Sequence, residues 1–273
     1  MPAVNFSTVK KGSIYRPSAE GHVSHPELNS PKHNHLLAAL PPNDYVRLLP
    51  FMELYPVDTE EVLHEAGMPV EWIYFPTTAV ICIGYMTENG SMPSVALVGK
   101  DGLVGLPCIM GNDQATCYAT VQSAGFTYRI RASHLKKDLY LKGDLLRMTL
   151  LYSQLFFTQV SQTAVCNRLH SIDQQLCRYL LTSADLLERD EFNLTHEFIA
   201  NMLGVRREGI TKSAGKLAQK GLIRYNWGKI QILDKEGLKN EVCECYSVVK
   251  NERARLMPFK PAVYFKGMTK VAN

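Results

Sequence analysis

The sequence predicts an α+β protein in three parts: an N-terminal β-barrel of the jelly-roll or double-stranded β-helix kind, a long helix, and a C-terminal winged helix-turn-helix. Three observations lead to this prediction. Short apolar segments separated by turn residues run as far as Arg131. The apolar period then changes to that of a helix. A pair of short helices hinged at Gly204 follows, and basic residues come directly after that glycine.

The composition is that of a folded, soluble protein. The chain has 273 residues, of which 46% are hydrophobic and 21% are charged, and this length allows two domains with separate cores. No segment approaches the roughly 18 uninterrupted apolar residues that a membrane helix needs. The N-terminus also has no apolar run of the kind found in signal peptides. We therefore expect a cytoplasmic protein without a membrane partner.

The segment 34–133 is predicted to form the barrel. Its apolar stretches, such as 72–75 and 126–130, are short, and turn residues such as those at 99–102 separate them. Short strands at this spacing favour a barrel or a sandwich. The full set of predicted parts is a flexible arm at 1–33, the barrel at 34–133, a long dimerisation helix at 134–170, a winged helix-turn-helix at 171–245 and a C-terminal tail at 246–273.

The predicted long helix carries two apolar stripes. The first comprises Met148, Leu151, Leu155, Thr158, Gln162 and Val165, and the second comprises Leu146, Leu150, Phe157, Val160 and Ala164. Two apolar faces need two surfaces to bury them. The barrel can cover one, and the same helix of a second subunit is the simplest cover for the other. The alternative is a helix that a single monomer buries on all sides.

The segment 194–212 has the features of two helices that meet at a steep angle. Thr195 is a natural N-cap for the first helix, and the small Ala200 lets the second helix approach closely. Gly204 permits the positive φ that ends the first helix sharply. Val205 fills the corner, and Ile210 returns to the shared core. Together these features predict a helix-turn-helix, with an αα-hairpin that binds no DNA as the alternative.

Basic residues concentrate in this region. Between Gly204 and Lys229 there are seven cations and one acid, a net charge of +6, whereas the whole chain has a net charge of +4. A basic cluster on a balanced chain is typical of contact with a phosphate backbone. A solvated helix face is the alternative, and charge alone does not decide between the two.

We expect the second helix to begin at Arg206 and to read base edges with its N-terminal residues. An arginine can donate two hydrogen bonds to guanine, and a glutamate can accept one from cytosine. Lys212 lies one turn beyond Glu208, where it extends the reading surface or binds a phosphate. Gly209 either allows close approach to DNA or accommodates packing. The predicted DNA-binding residues are Arg206, Arg207, Glu208, Thr211, Lys212 and Lys229.

The segment after this helix reads as a β-hairpin, the wing of a winged helix. Strands are predicted at 221–225 and 230–233, with a turn at 226–229 between them. Trp227 and Lys229 lie at the tip, where they can reach phosphates. Packing on the wing is the alternative for Trp227.

This combination resembles the CRP/FNR family of bacterial regulators over about residues 34–245, most specifically over 193–234. The resemblance implies a dimeric transcription regulator that binds a near-palindromic site on double-stranded DNA, with RNA polymerase and a small-molecule effector as further partners. On the family pattern, Arg207, Glu208 and Lys212 take the places of the base-reading Arg, Glu and Arg. The lysine departs from that pattern because it lacks a bidentate fork. Gly209 stands where the family often has a hydroxyl residue that contacts phosphate.

The resemblance also implies a ligand pocket of the cyclic-nucleotide-binding type, but the sequence departs from the family there. The family's Gly-Glu-x-Gly turn reads Gly102-Leu103-Val104-Gly105, without the glutamate that binds ribose. The stretch 115–119 has no cation for a cyclic phosphate, and burying a phosphate without one is unfavourable. We therefore expect a pocket that does not bind cyclic AMP in the family's manner, and its ligand stays unassigned. Its predicted residues are Gly102, Leu103, Gly105, Cys117 and Tyr118.

The seven cysteines are scattered, and no two are three residues apart, as they are in common zinc and redox motifs. Cys243 and Cys245 form only a weak pair. We interpret all seven as reduced, structural thiols and predict no metal site. The N-terminal cysteine cluster of the family's oxygen-responsive branch is also missing. The early histidines are interpreted as polar residues of the arm, with metal binding as the alternative: His22, His25, His33 and His35.

Two other classes of function stay open at this point. One is a small-molecule sensor for a nucleotide or haem in which DNA binding is secondary. Its conceivable haem ligands are His64, His134, Cys82 and Cys117, although isolated residues of these types are more often structural. The other is an enzyme, for which the sequence offers no nucleophile elbow, phosphate loop, zinc triad or paired carboxylates.

Overall fold

The structure, a computed structural model, describes residues 30–88, 91–139 and 143–257. The predicted arm up to residue 29 and the part of the predicted tail at 258–273 lie outside the described residues. The prediction of a flexible arm was wrong for its last residues, because Pro31–His33 form a 3-10 helix and His35 is the first residue of an α-helix capped by Asn34. Among the helices that are described, none combines the length and the apolar character needed to cross a membrane.

The N-terminal half folds into two antiparallel sheets of short strands. Their strands are β1 (Glu53–Val57), β2 (Val62–His64), β3 (Trp72–Pro76), β4 (Val80–Gly84), β5 (Ser94–Val98), β6 (Tyr118–Ser123) and β7 (Gly125–Arg131). One sheet has the order β1–β7–β3 and the other has the order β2–β6–β4–β5. Three short helices accompany them: α1 (His35–Ala38), α2 (Pro42–Leu48) and α3 (Leu106–Ile109). The strand positions confirm the predicted β-rich half.

The two sheets face each other as a sandwich. In the described residues they do not close into the barrel that was predicted. Val57 and Tyr74 of one sheet pack with Ile81 and Val121 of the other, so the core lies between the layers. The register shifts where β4 and β2 pair with β6, and such irregularities bend the strand and increase its twist.

Strand β4 is buried on both of its faces. Ile81 and Ile83 point between the two sheets. Val80 and Cys82, the alternate residues, pack with the apolar core of the C-terminal unit, as the two-residue period of a strand requires. The two halves of the chain therefore share a packed boundary along this strand.

The predicted long helix at 134–170 is two helices in the structure. Helix α4 (Ala132–Leu139) packs beside the sheets, and α5 (Asp144–Leu169) follows. Gly143 has extended backbone, with φ −83° and ψ −169°, and forms the N-cap of α5. The prediction of one helix was wrong because the continuing apolar period hid this break.

One face of α5 is buried and another is exposed. Met148, Tyr152 and Leu155 lie in the core against the sandwich. By contrast, Leu150 is 56% exposed and Phe157 is 72% exposed. The second apolar stripe of the sequence therefore includes side chains that this subunit leaves uncovered.

The C-terminal unit is α-rich with a small sheet. Its elements are α6 (Ile172–Leu187), β8 (Glu191–Asn193), α7 (His196–Leu203), α8 (Arg207–Gln219), β9 (Ile223–Asn226), β10 (Lys229–Ile232), α9 (Lys235–Glu241) and α10 (Cys245–Leu256). The sheet order is β8–β10–β9. Strand β8 was not predicted, because its three residues lie in a polar stretch.

Helix α10 occupies much of the segment that was predicted to be a tail. It packs along α5, and the hydroxyl of Tyr246 donates a 2.6 Å hydrogen bond to Asp185 of α6. Arg253 forms an ion pair with Asp101, in the loop after β5. The prediction of a tail from residue 246 was wrong for residues up to 256, since these buried contacts stabilise a helix whose own sequence is strongly polar.

Candidate nucleic-acid interface

Local sequence fixes the ends of the two helices in the predicted helix-turn-helix. The hydroxyl of Thr195 accepts a 3.1 Å hydrogen bond from the Phe198 amide and caps α7, as predicted. Gly204 ends that helix with φ +65°, a left-handed conformation that glycine adopts without steric cost. The amide of Val205 donates back to Ala200 at 3.0 Å. The chain then turns within two residues into α8.

A shared apolar core holds α7 and α8 in position. Ile199 and Ile210 are fully buried, and Ala200 is 4% exposed where the helices approach each other. Val205 packs against the same core from the corner. These positions agree with the roles that the sequence predicted. With its apolar residues facing this core, α8 turns its charged residues to solvent.

The exposed side of α8 carries the residues predicted to read DNA. Arg207, Glu208, Thr211 and Lys212 are all exposed, and they occupy the N-terminal half of the helix. The helix itself begins at Arg207, and Arg206 is its N-cap, one residue later than predicted. Gly209 lies against α6, because a Cβ there would be 2.9 Å from Cδ1 of Ile172. This close contact accounts for the mid-helix glycine by packing.

Ion pairs redistribute the linear charge cluster. Lys216 pairs with Asp173 of α6 at 2.7 Å, and Lys220 pairs with Glu241 of α9 at 2.7 Å. These two lysines therefore support packing of the C-terminal part of α8. In the part of the chain that the structure describes, Arg206 and Lys212 form no ion pair. The uncompensated positive charge of α8 is thus concentrated toward its N-terminus.

Arg207 also has an acidic neighbour outside its own helix. Its Nε lies 3.8 Å from Oε2 of Glu197 on α7, and both side chains are 66% exposed. Such an exposed pair contributes little to stability. Glu197 therefore leaves the guanidinium available to a stronger partner.

The wing has the geometry that the sequence predicted. Asn226 pairs with Lys229 across a two-residue turn, in which Trp227 has φ +44° and Gly228 has φ +80°. Positive φ at both central residues is typical of a type I′ hairpin turn. Trp227 is 96% exposed, so it does not pack on the wing. Lys229 lies 3.7 Å from Glu191 of β8.

A contact that the sequence did not indicate ties the wing to both helices. The imidazole of His196 stacks on the ring of Tyr225, with the centroids 3.9 Å apart. Its Nδ1 lies 3.1 Å from Oγ1 of Thr211 on α8. Burial, together with the nearby positive charge of Arg207, lowers the pKa of His196. The neutral ring is therefore the favoured form in the folded protein.

Comparison with known proteins shows which known domain the C-terminal unit matches. Residues 174–241 match the Crp-like helix-turn-helix domain. The chain has the CRP/FNR fold. A 45-residue stretch is 51% identical to the transcriptional regulator SdrP of Thermus thermophilus, a match that covers 16% of this chain and 22% of that protein. The chain thus matches about a fifth of the length of this curated relative.

Solved structures extend the CRP/FNR likeness to the N-terminal half. A putative transcriptional regulator of the crp/fnr family from Eubacterium rectale aligns with a TM-score of 0.62 at 20% identity, covering 77% of this chain and 98% of that one. FixK2 from Bradyrhizobium japonicum aligns with a TM-score of 0.61 at 13% identity, covering 70% and 98%. At these identities the likeness is one of fold.

The CRP/FNR sandwich contains a cavity of about 270 Å³ next to α5. Leu103, Gly105 and Cys117 line it, whereas Gly102 and Tyr118 do not. Gly102 lies under the ring of Tyr152, which would contact a Cβ at that position. Three of the five residues predicted for a ligand pocket therefore line this cavity, together with residues from α5.

The wall of this cavity is mainly apolar. Phe156, Phe157 and Val160 of α5 form one side. His64 also lines it, and its Nε2 lies 2.8 Å from the carbonyl oxygen of Trp72. Burial lowers the pKa of His64, so the imidazole does not supply a fixed positive charge. None of the described lining residues is a lysine or an arginine.

Proposed function

We propose that this chain is a homodimeric, sequence-specific DNA-binding transcription regulator that reads the major groove with the N-terminal half of α8. One observation carries the proposal: Arg207, Glu208 and Lys212 share the exposed side of a helix whose apolar side is fully buried. A helix held in this way can enter the groove without exposing its core. Residues at the start of such a helix are the ones that reach base edges.

The side chains divide by the contacts that they can make. Arg207 offers two donors to guanine, and Glu208 offers an acceptor to cytosine. Arg206, Thr211, Lys212 and Lys229 are exposed around them and suit phosphate oxygens. The paired Lys216 and Lys220 are assigned to the protein's own packing.

The exposed face of α5 supports the homodimer. Leu150 and Phe157 are seven residues apart on one helix and largely exposed, so they repeat at the spacing of a helix–helix seam. Pairing this face with its copy in a second subunit places two α8 helices on one duplex. Successive major grooves on one side of DNA are about 34 Å apart, which implies a near-palindromic site.

The cavity supports a sensory role within the same function. Its volume of about 270 Å³ and its apolar lining favour a small apolar ligand, because pockets for drug-sized molecules run from about 300 to 1,000 Å³. The absence of a cation in the described wall does not favour a phosphate group. Of the conceivable haem ligands, His64 and Cys117 line this cavity, and Cys82 and His134 do not. A ligand here contacts Phe157, which also lies on the proposed dimer face.

The proposal is tested by selection from random duplex DNA with the purified full-length chain, followed by sequencing of the retained fraction. We expect enrichment of a two-fold-symmetric site. The control is the double variant Arg207→Ala with Glu208→Ala, which should retain duplexes without preference. Retention of the same motif by this variant, or no enrichment by the unmodified chain with and without small apolar ligands, contradicts the proposal.

A further inference from the structure

Four side chains of the types that ligate metals meet where α5 ends and α10 begins. They are Cys166, His170, Cys243 and Cys245, and their ligand atoms all lie within 4.8 Å of one another. The three cysteines are buried, and the histidine is half-buried. None of these residues takes part in the DNA interface or the cavity described above.

We propose that these four residues bind one tetrahedral metal ion of the zinc class. Sγ of Cys166 lies 3.6 Å from Sγ of Cys243, and Sγ of Cys245 lies 3.5 Å from Nδ1 of His170. Around an ideal tetrahedral zinc, bond lengths of about 2.3 Å to sulfur and about 2.0 Å to nitrogen give ligand separations of about 3.8 Å and 3.5 Å. These two separations match the corresponding edges, and all four ligand atoms lie within 4.8 Å of one another, so side-chain movements of about 1 Å bring them around one ion.

The spacing favours a single ion over an iron–sulfur cluster. A [4Fe–4S] cluster gives each cysteine its own iron, and a [2Fe–2S] cluster divides its four protein ligands between two irons, so some ligand atoms lie further apart than the 4.8 Å that bounds this group. Three thiolates and an imidazole are also a standard donor set of structural zinc sites.

Secondary structure holds the ligands in place. Cys166 lies in the last turn of α5, and His170, four residues later, is the C-cap of that helix. The amide of His170 donates a 3.0 Å hydrogen bond to the carbonyl of Cys166, and its own carbonyl accepts one of 3.0 Å from Gln175. Cys243 and Cys245 lie in the turn before α10 and in its first residue. The backbone thus holds Cys166 near His170, and Cys243 near Cys245.

A carboxylate orients the imidazole from its other side. Nε2 of His170 lies 3.3 Å from Oε1 of Glu244, while Nδ1 faces the thiols. A carboxylate on the second nitrogen is the common way in which proteins fix the tautomer of a metal-bound histidine. This arrangement is not needed for a histidine that only fills space.

A cation compensates the charge of the site. Three thiolates and a divalent ion carry a net charge of −1, and the Arg178 guanidinium acts on the Cys166 thiol from α6. The Nε of Arg178 is buried and has no hydrogen-bond partner among the described residues. The guanidinium is therefore suited to stabilise a Cys166 thiolate in a metal site.

The ion would fasten the helix-turn-helix unit at both of its ends. Cys166 and Cys243 are 77 residues apart in the sequence, and the chain between them contains α6 to α9, including α8. An ion that joins Cys243 and Cys245 to Cys166 of α5 closes this segment into a loop. The loop restricts the unfolded chain and limits motion of α8 relative to α5. Metal binding at this site does not require DNA.

The full-length chain is purified without oxygen, under a phosphine reductant and without chelator, and its metal content is measured. After removal of metal, it is titrated with Co²⁺ and then with Zn²⁺. We expect one ion per chain, a strong tetrahedral cobalt–thiolate spectrum that zinc abolishes, and a higher Tm with zinc. Cys245→Ser should lose the spectrum, and Cys108→Ser, which removes a buried thiol elsewhere, should keep it.

A second variant guards against misfolding of the serine variant. Glu244 is exposed, so Glu244→Gln should fold normally and bind the metal about 10- to 100-fold more weakly. Three results would overturn the proposal: no cobalt or zinc uptake by the unmodified chain, equal uptake by Cys245→Ser and Cys108→Ser, or purification with iron and labile sulfide. Selection of DNA by the same samples is scored separately, so failure of one proposal is distinguishable from failure of the other.

Discussion

His196 and Tyr225 stack with their ring planes 20° apart and their centroids 3.9 Å apart. His196 is the first residue of α7, and Tyr225 lies on β9 of the wing. The same imidazole contacts Thr211 of α8 at 3.1 Å. One side chain therefore joins both helices of the helix-turn-helix to the wing, and it does so beside the exposed Arg207.

This stack makes stability depend on pH near neutrality. Burial and Arg207 lower the pKa of His196 in the folded state, so between that pKa and 6.5 the unfolded chain binds more protons at this position. The free energy of unfolding should therefore fall as the pH drops through about 6.5 and level off below the folded-state pKa. Urea unfolding between pH 7.5 and pH 5.5 measures this slope.

The matched variant is His196→Gln, which should show a smaller slope over the same range. His35 and His64, whose pKa burial also lowers, contribute alike to the slopes of both proteins, whereas two aspartates with resolved shifts titrate below this range. Although burial raises the pKa of Asp173 and Asp185, hydrogen bonds from Lys216 and Tyr246 lower it further, so both lie below 3.8. Identical slopes for the two proteins would contradict the assignment of this pH dependence to His196.

The helix hinge should not tolerate a side chain. Gly204 has φ +65°, and a Cβ there would lie 3.3 Å from Cβ of Pro93. Gly204→Ala should lower the free energy of unfolding by about 1–2 kcal/mol, because other residues are strained in the left-handed region. Gly215→Ala is the control, because Gly215 lies within α8 with open space around it. There, alanine should raise the free energy of unfolding by up to about 1 kcal/mol. Chemical denaturation of both variants decides the matter, and equal effects would contradict this explanation of the hinge.

The sequence predicted the helix-turn-helix well because its signals are local. A cap at Thr195, a positive φ at Gly204 and a plug at Val205 act over only a few residues, and each lies where it was predicted. The wing turn was predictable for the same reason, since Gly228 favours positive φ. Separate helices α4 and α5 were missed because Gly143 alone marks the break within a continuing apolar pattern.

Features that depend on distant contacts were not predictable. In the sequence, Lys216 and Lys220 count toward the basic cluster. In the structure, ion pairs with Asp173 and Glu241 compensate their charge. The thiols of Cys166 and Cys243 are separated by 77 residues, which no spacing rule covers. The four-residue interval between Cys166 and His170 on a helix was the available signal, and it gains meaning only when α10 brings the other two ligands.

Disrupting the exposed face of α5 should dissociate the proposed dimer. Leu150→Glu places a charge on that face, which is unfavourable in an apolar seam and harmless in a monomer. Sedimentation velocity over a range of concentrations should show a dimer for the unmodified chain and a monomer for the variant. Val46→Glu, at a residue of α2 that is 62% exposed, should remain dimeric. A monomeric unmodified chain, or a dimeric Leu150→Glu, contradicts the role of this face.

The wing lysine should contribute affinity without specificity. Lys229 is exposed beside the turn, and its Nζ lies 3.7 Å from Glu191, a weak pair that a phosphate can replace. Lys229→Ala should weaken binding to all duplexes alike and reduce the slope of log affinity against log salt by about 1. Titrations at several salt concentrations test this, and an unchanged slope would place the wing away from DNA.

Binding of Arg207→Ala and Lys216→Ala to the selected site, and to versions of it with single base-pair changes, tests the central claim most directly. Arg207 lies on the solvent side of α8, whereas Lys216 is paired with Asp173 at 2.7 Å. Arg207→Ala should lose about 1–3 kcal/mol and become indifferent to one base pair in each half-site. Lys216→Ala should keep the sequence preference of the unmodified chain. If Arg207→Ala keeps its preference at every base pair, or if Lys216→Ala loses it instead, α8 does not read DNA in the way proposed.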